Sequence, residues 1–77
     1  MNKERRKALS DIMEQLEELK SSVEEIQEDE DESRENMPEN LQGSERYERS
    51  EEASGNLSDA ISSLEDSISS IGEAIEE

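Results

Sequence analysis

Apolar residues in the first third of the chain recur at helical intervals. Leu9, Ile12, Leu16, Leu19, Val23 and Ile26 are spaced 3, 4, 3, 4 and 3 residues apart, the a/d pattern that lays one narrow apolar edge along a helix. A second stripe, Leu57, Ile61, Leu64, Ile68, Ile71 and Ile75, runs at 4, 3, 4, 3 and 4, and its register reaches back through Ser54 and Ser50 to Tyr47. Between the stripes, Met37-Pro38 ends the first helix, because proline disfavours helical geometry at the residue before it. Gly43-Ser44 then offers a restart with Ser44 as N-cap. The pattern predicts one helix over about 3–36, a hinge over about 37–44 and a second helix over about 45–76.

Six apolar seam positions facing six predict an all-α fold, an antiparallel two-helix coiled-coil hairpin. Folding back pairs Leu9 with Ile75, Leu16 with Ile68, Val23 with Ile61 and Ile26 with Leu57. Farther along, Glu30 falls opposite Ser54 and Ser33 opposite Ser50, so the seam turns polar before Met37, Leu41 and Tyr47 close an apolar cluster at the tip. Such a hairpin leaves its seams partly open. Ala53, Ala60, Ser67 and Ala74 form one column beside the second seam, and small residues let a neighbouring helix approach closely. Self-association of two hairpins through this column, giving a homodimeric four-helix bundle, is the expected assembly. The alternative is that Ala and Ser simply cover a solvated helix.

Charge adds a second pattern. The 77 residues include 24 acids and 8 bases, a formal charge of −16, with 27% hydrophobic residues and Tyr47 as the lone aromatic. Residues 1–23 carry five acids and five bases and sum to zero, and residues 40–50 also cancel. The whole net charge lies in 24–39 and 51–77, each at −8. The basic group Lys3, Arg5, Arg6 and Lys7 is expected to lie against Glu73, Glu76 and Glu77. Arg34, Arg46 and Arg49 are expected beside the acid-rich end of the first helix. No apolar run exceeds two residues, so neither a membrane span nor a signal peptide is predicted, and the expected location is cytoplasmic.

The residue types narrow the chemistry. Without cysteine or histidine there is no disulfide framework and no thiolate or imidazole metal site. General acid or base catalysis needs carboxyls whose surroundings shift their pKa, and a two-helix rod lacks the walls for such a pocket, so no enzyme and no cofactor are expected. The run Glu28-Asp29-Glu30-Asp31-Glu32 lacks the alternating ligands and glycine turn of a calcium loop. Direct nucleic-acid binding is excluded by the sign of the charge. What exceeds a plain helical surface is the side of the first helix away from its seam. Asp11, Glu14, Glu17, Glu18, Glu24, Glu25 and Glu28 fall there, seven carboxylates over about 26 Å, close to the one charge per about 3.4 Å of a single DNA strand. The like-charge pairs Glu24/Glu28, Glu25/Asp29 and Glu28/Glu32 weaken the helix end, and Glu28, Glu30 and Glu32 extend the surface toward a cationic partner.

The hinge NMPENLQGSERYE, Asn36 to Glu48, followed by AISSLEDSISSIGEAIE, Ala60 to Glu76, resembles a group of short acidic proteins encoded by phages and mobile elements of Gram-positive bacteria. The resemblance covers nearly the whole chain. It implies a small non-enzymatic phage protein of the kind that inhibits a bacterial defence system by binding one of its proteins, and it supplies no catalytic residue. Two expectations stand: an inhibitor whose acidic face blocks a basic, nucleic-acid-binding surface of a host or defence protein, or a structural or adaptor bundle assembling through the Ala/Ser flanks of the second helix.

Overall fold

A computed structural model describes residues 1–77 as two long helices and a short connection. Helix α1 spans Lys3–Glu35 and helix α2 spans Glu45–Glu76, with a single 3₁₀ turn at Glu39–Leu41 between them. They lie side by side and antiparallel in a rod of 60 × 14 × 12 Å.

Both helix starts are capped by side chains. Asn2 Oδ1 accepts from the Arg5 backbone N–H at 2.8 Å, and Ser44 Oγ accepts from Tyr47 N–H at 3.3 Å, each satisfying a donor that has no partner within the first turn. Pro38, in extended backbone with φ −56° and ψ 146°, turns the chain out of α1. Gly43, at φ +88°, makes the last bend before α2, a conformation that costs a residue with a Cβ but not glycine.

The register is fixed by contacts across the pair. Gln27 reaches Ser54 and Ser58, Lys20 Nζ lies 3.4 Å from Glu65, and the Met13 methyl lies 3.5 Å from where a Cβ on Gly72 would stand. Along α2 the seam follows the apolar stripe: Leu57, Ile61, Leu64, Ile68, Ile71 and Ile75 are all half-buried. Along α1 it does not. Leu9, Leu16 and Val23 are half-buried in the seam, whereas Ile12, Leu19 and Ile26 are 42%, 57% and 60% exposed. Their places against α2 are taken by Met13, Lys20 and Gln27.

The rotation of α1 has a physical cause. Small residues on α2, Ser54 in the seam and Ser58 and Gly72 on one flank, leave space into which Gln27 and Met13 fit. The hydrogen bonds of Gln27 and its neighbours reward that turn, while Ile26 pairing with Leu57 would leave Gln27 outside. The seam is therefore made of the columns through Leu9 and Met13 instead of those through Leu9 and Ile12. No hydrophobic side chain is fully buried; the two buried residues are Ser50 and Ser54. At the tip Met37 and Tyr47 are half-buried, but Leu41 is 45% exposed, so the expected cluster is open on one side.

The expected pairing of the termini is not formed. Among the basic residues at the start of α1, the one ion pair is Lys7 with Asp11 at 3.7 Å, within the same helix. The basic residues near the tip also pair locally, Arg34 with Asp31 and Arg49 with Glu45. Short i,i+3 and i,i+4 spacings bring opposite charges together at little entropic cost, whereas the chain ends would have to immobilise long exposed side chains for a weak surface pair. Lys20 with Glu65 is the one ion pair that crosses between the helices.

Candidate functional site: the acidic face

Helical spacing sorts the acids of α1 into adjoining columns. Glu17 and Glu24 belong to one, Glu14 and Glu28 with Ser21 between them to the next, and Asp11, Glu18, Glu25 and Glu32 to a third, each column repeating every seven residues. All eight are exposed. Glu30 departs from the expected surface: it is half-buried and borders a recess with Ser33, Met37, Arg46, Arg49 and Ser50 on the other side of the rod. The outward side of α2 carries its own acidic column, Glu52, Asp59, Asp66 and Glu73, also exposed.

Near the tip the acidic face deepens into an open recess lined by Glu24, Gln27, Glu28, Asp31, Glu32 and Glu35, with no hydrophobic residue. A polar network forms its floor and replaces apolar packing between the helices. Gln27 Nε2 donates to the Ser54 carbonyl at 2.9 Å and to Ser58 Oγ at 2.6 Å. Ser54 Oγ donates to Asp31 Oδ1 at 2.6 Å, which also accepts from Arg34 Nη2 at 3.0 Å. Arg34 Nη1 in turn donates to Ser50 Oγ at 3.3 Å. No buried side-chain nitrogen or oxygen lacks a hydrogen-bond partner, which is what makes a polar layer tolerable in a seam. The Ser54 hydroxyl, aided by the Arg34 guanidinium, holds the Asp31 carboxyl below its ordinary range against the opposing effect of desolvation.

The network was only partly visible in the pattern of residues. Ser50 and Ser54 standing at seam positions signal a polar layer, but which residues of α1 answer them depends on the rotation of that helix. Asp31 thereby becomes a half-buried carboxylate anchored by Ser54 and Arg34, while Glu28 and Glu32 on either side of it remain outside.

The face can attract cations and cationic side chains over a long track. No group of three or more acidic side chains is arranged to hold a metal ion, and no helix is long and apolar enough to cross a membrane. Of the small-residue column, Ala53, Ala60 and Ser67 are exposed and Ala74 is half-buried. Compared with protein-family models, curated proteins and solved structures, the chain matches none at a significant level.

Proposed function

We infer that this chain is a non-enzymatic protein-binding module, a phage-type inhibitor that covers a basic surface of a host or bacterial defence protein with the acidic face of α1. The observation that carries this reading is the exposure of Asp11, Glu14, Glu17, Glu18, Glu24, Glu25 and Glu28 along one side of a straight helix. Their mean spacing, six gaps over about 26 Å or about 4.3 Å each at about 1.5 Å rise per residue, is of the same order as the about 3.4 Å between phosphates of a single nucleic-acid strand. A groove lined with Lys and Arg to hold such a strand meets here a similar density of negative charge on a rigid support, and binding releases no phosphate and permits no strand chemistry. The hairpin fold contributes the rigidity. A lone helix with so many like charges at i,i+4 would fray, and packing against α2 holds the track straight.

The ligand class is thus a cationic protein surface, and the interaction is salt-sensitive because exposed charges are screened within about 8 to 10 Å at ordinary ionic strength. The test uses the chain and its Glu17→Lys/Glu18→Lys/Glu24→Lys/Glu25→Lys variant as baits in lysate of a Gram-positive host, with bound proteins eluted by increasing salt. A specific protein kept by the native chain, lost by the variant and released at moderate salt is the expected result. Equal retention by both baits contradicts the reading.

The adaptor reading rests on other residues, the flank of α2 holding Ala53 and Ala60 together with the exposed ridge beside it on α1. A bulky replacement at Ala53 or Ala60 that abolished partner retention, with the lysine variant still active, would favour it.

A further inference from the structure

One side of the rod is as apolar as the other is charged. Ile12, Leu19 and Ile26 stand in a single column of α1, seven residues apart, and project from the rod as a ridge. The next member of that column is Ser33, and Arg46 is the member that precedes Ala53 in the small-residue column of α2. Ser33 and Arg46 border the same recess, so the ridge and the small-residue column lie on one side of the hairpin. Glu17 and Lys20, by contrast, share a recess with Glu65 on the opposite side.

This side is free of charge over most of its length. Including the two flanking columns, with Ala8, Gln15 and Ser22 on α1 and Asn56, Ser63 and Ser70 on α2, no ionisable side chain occurs from Ala8 to Ile26 or from Ala53 to Ala74 in these columns. In a chain of which 42% of residues are charged, that gap marks the one surface where a second polyanion can come close. Every other approach between two copies would oppose carboxylates.

The register makes the surface self-complementary. With Gln27 beside Ser58, Lys20 beside Glu65 and Met13 beside Gly72, Ile26 stands within about two residues of the level of Ala60, Leu19 of Ser67, and Ile12 of Ala74. A two-fold axis running along the rod lays each helix of one copy against the other helix of its mate, so every large ridge residue meets a small one, and the reverse holds on the other half. We propose that two copies of this chain join through this uncharged face into a four-helix bundle, each copy's Ile12–Leu19–Ile26 ridge seated on the other's Ala60–Ser67–Ala74 column.

The dimensions suit such a pair. Along its uncharged length, from Ala53 to Ala74, the face runs about 32 Å at about 1.5 Å per residue, and across the 14 Å width of the rod it projects roughly 440 Å². The accessible area of a corrugated helix pair exceeds its projection, which places it among the smaller specific interfaces, below the about 800 Å² per partner of the standard size. Burying it also encloses the apolar edge that one hairpin leaves open, adding the Ile12, Leu19 and Ile26 column to the Leu9, Leu16 and Val23 column, two apolar positions per heptad as in a coiled-coil seam. The acidic faces then point outward on both sides. The pairing stands whatever the acidic face binds.

The test is sedimentation equilibrium at about 100 μM, above the micromolar Kd of the weaker standard-size interfaces, with far-UV circular dichroism as a check on folding. The native chain is expected at twice its 8.8 kDa mass. Leu19→Glu, which enters the interface twice, is expected to weaken association on the order of 100-fold, from about 1.5 kcal/mol of lost burial per copy. If that variant loses its helicity, Ala60→Leu serves instead: it keeps a strong helix former on an exposed site and fills the receiving column, so it too should lower the mass toward that of a single chain. The chain has no cysteine, so mixed Leu19→Cys and Ser67→Cys variants should cross-link with each other on oxidation. A native chain of single mass, a double mass that survives both substitutions, or disulfides formed by Leu19→Cys only with itself would overturn the proposal.

Discussion

Leu16 and Leu19 offer a direct check on how the hairpin is built, because periodicity treats them alike and the structure separates them. Leu16 is half-buried against α2, while Leu19 is 57% exposed on the uncharged face. Leu→Ala at a fully buried site costs about 2 to 5 kcal/mol, so Leu16→Ala in a half-covered seam should cost about 1 to 2.5 kcal/mol. For Leu19, with less than half of its surface covered in a single hairpin, full-burial values of about 1.5 to 3 kcal/mol scale to at most about 1 kcal/mol, and the better helix propensity of alanine offsets part of it. Urea titrations followed by circular dichroism near 1 μM chain should show this gap, since at about 1 kcal/mol per molar urea for a chain this small the Leu16→Ala midpoint falls by about 1 to 2.5 M. At about 100-fold higher concentration the Leu19→Ala loss should grow, because association stabilises the folded form by mass action and that variant forfeits it. Equal losses for the two variants at low concentration, unchanged at high, would refute the rotation of α1 and return Leu19 to the seam.

Other consequences follow from the caps, the polar layer and the crowding of acids. Gly43→Ala should cost roughly 1 to 2 kcal/mol through its positive φ alone, since no atom obstructs the added Cβ, and Ser44→Ala about 1 kcal/mol through the lost N-cap, both read as urea midpoints. Asp31 has a folded pKa below its unfolded one, so its stabilisation is present above the unfolded value of about 3.9 and is lost as pH falls through the folded pKa. The stability difference between the native chain and Asp31→Asn should accordingly be constant above about pH 5 and shrink below about pH 4; a difference that grew with acidification would refute the assignment. Raising ionic strength should raise the melting temperature, because screening relieves repulsion among Glu24, Glu25, Glu28, Asp29 and Glu32 more than it weakens the one ion pair between helices.

Much of the fold was legible from spacing. Two stripes of six, Pro38, and the Gly43-Ser44 pair are local signals, and each acts through geometry its own residues impose. The α2 seam was also legible, since its apolar column and the serines continuing it admit one facing side. What spacing left open was the face of α1. A heptad stripe says which residues share an edge, yet the column facing α2 holds Met13, Lys20 and Gln27 in place of the more apolar Ile12, Leu19 and Ile26, and the choice falls to side chains across the seam. Gln27, Asp31 and Arg34 find partners on Ser50, Ser54 and Ser58, and satisfying buried polar groups outweighs the modest burial of Ile12, Leu19 and Ile26. Of the acidic surface, the carboxylates pointing away from both helices were legible, because helical periodicity alone places them. Glu30 was legible as a member of the seam column opposite Ser54, and it is half-buried there.

Charge mimicry is tested most directly by competition on a captured partner. If the acidic face of α1 occupies a nucleic-acid groove, a partner retained by the native chain should bind a DNA or RNA oligonucleotide and this chain exclusively, each displacing the other in a fluorescence anisotropy titration. The Glu17→Lys/Glu18→Lys/Glu24→Lys/Glu25→Lys variant should displace nothing. Simultaneous binding of oligonucleotide and native chain to the same partner, or displacement undiminished by the four lysines, would contradict the account.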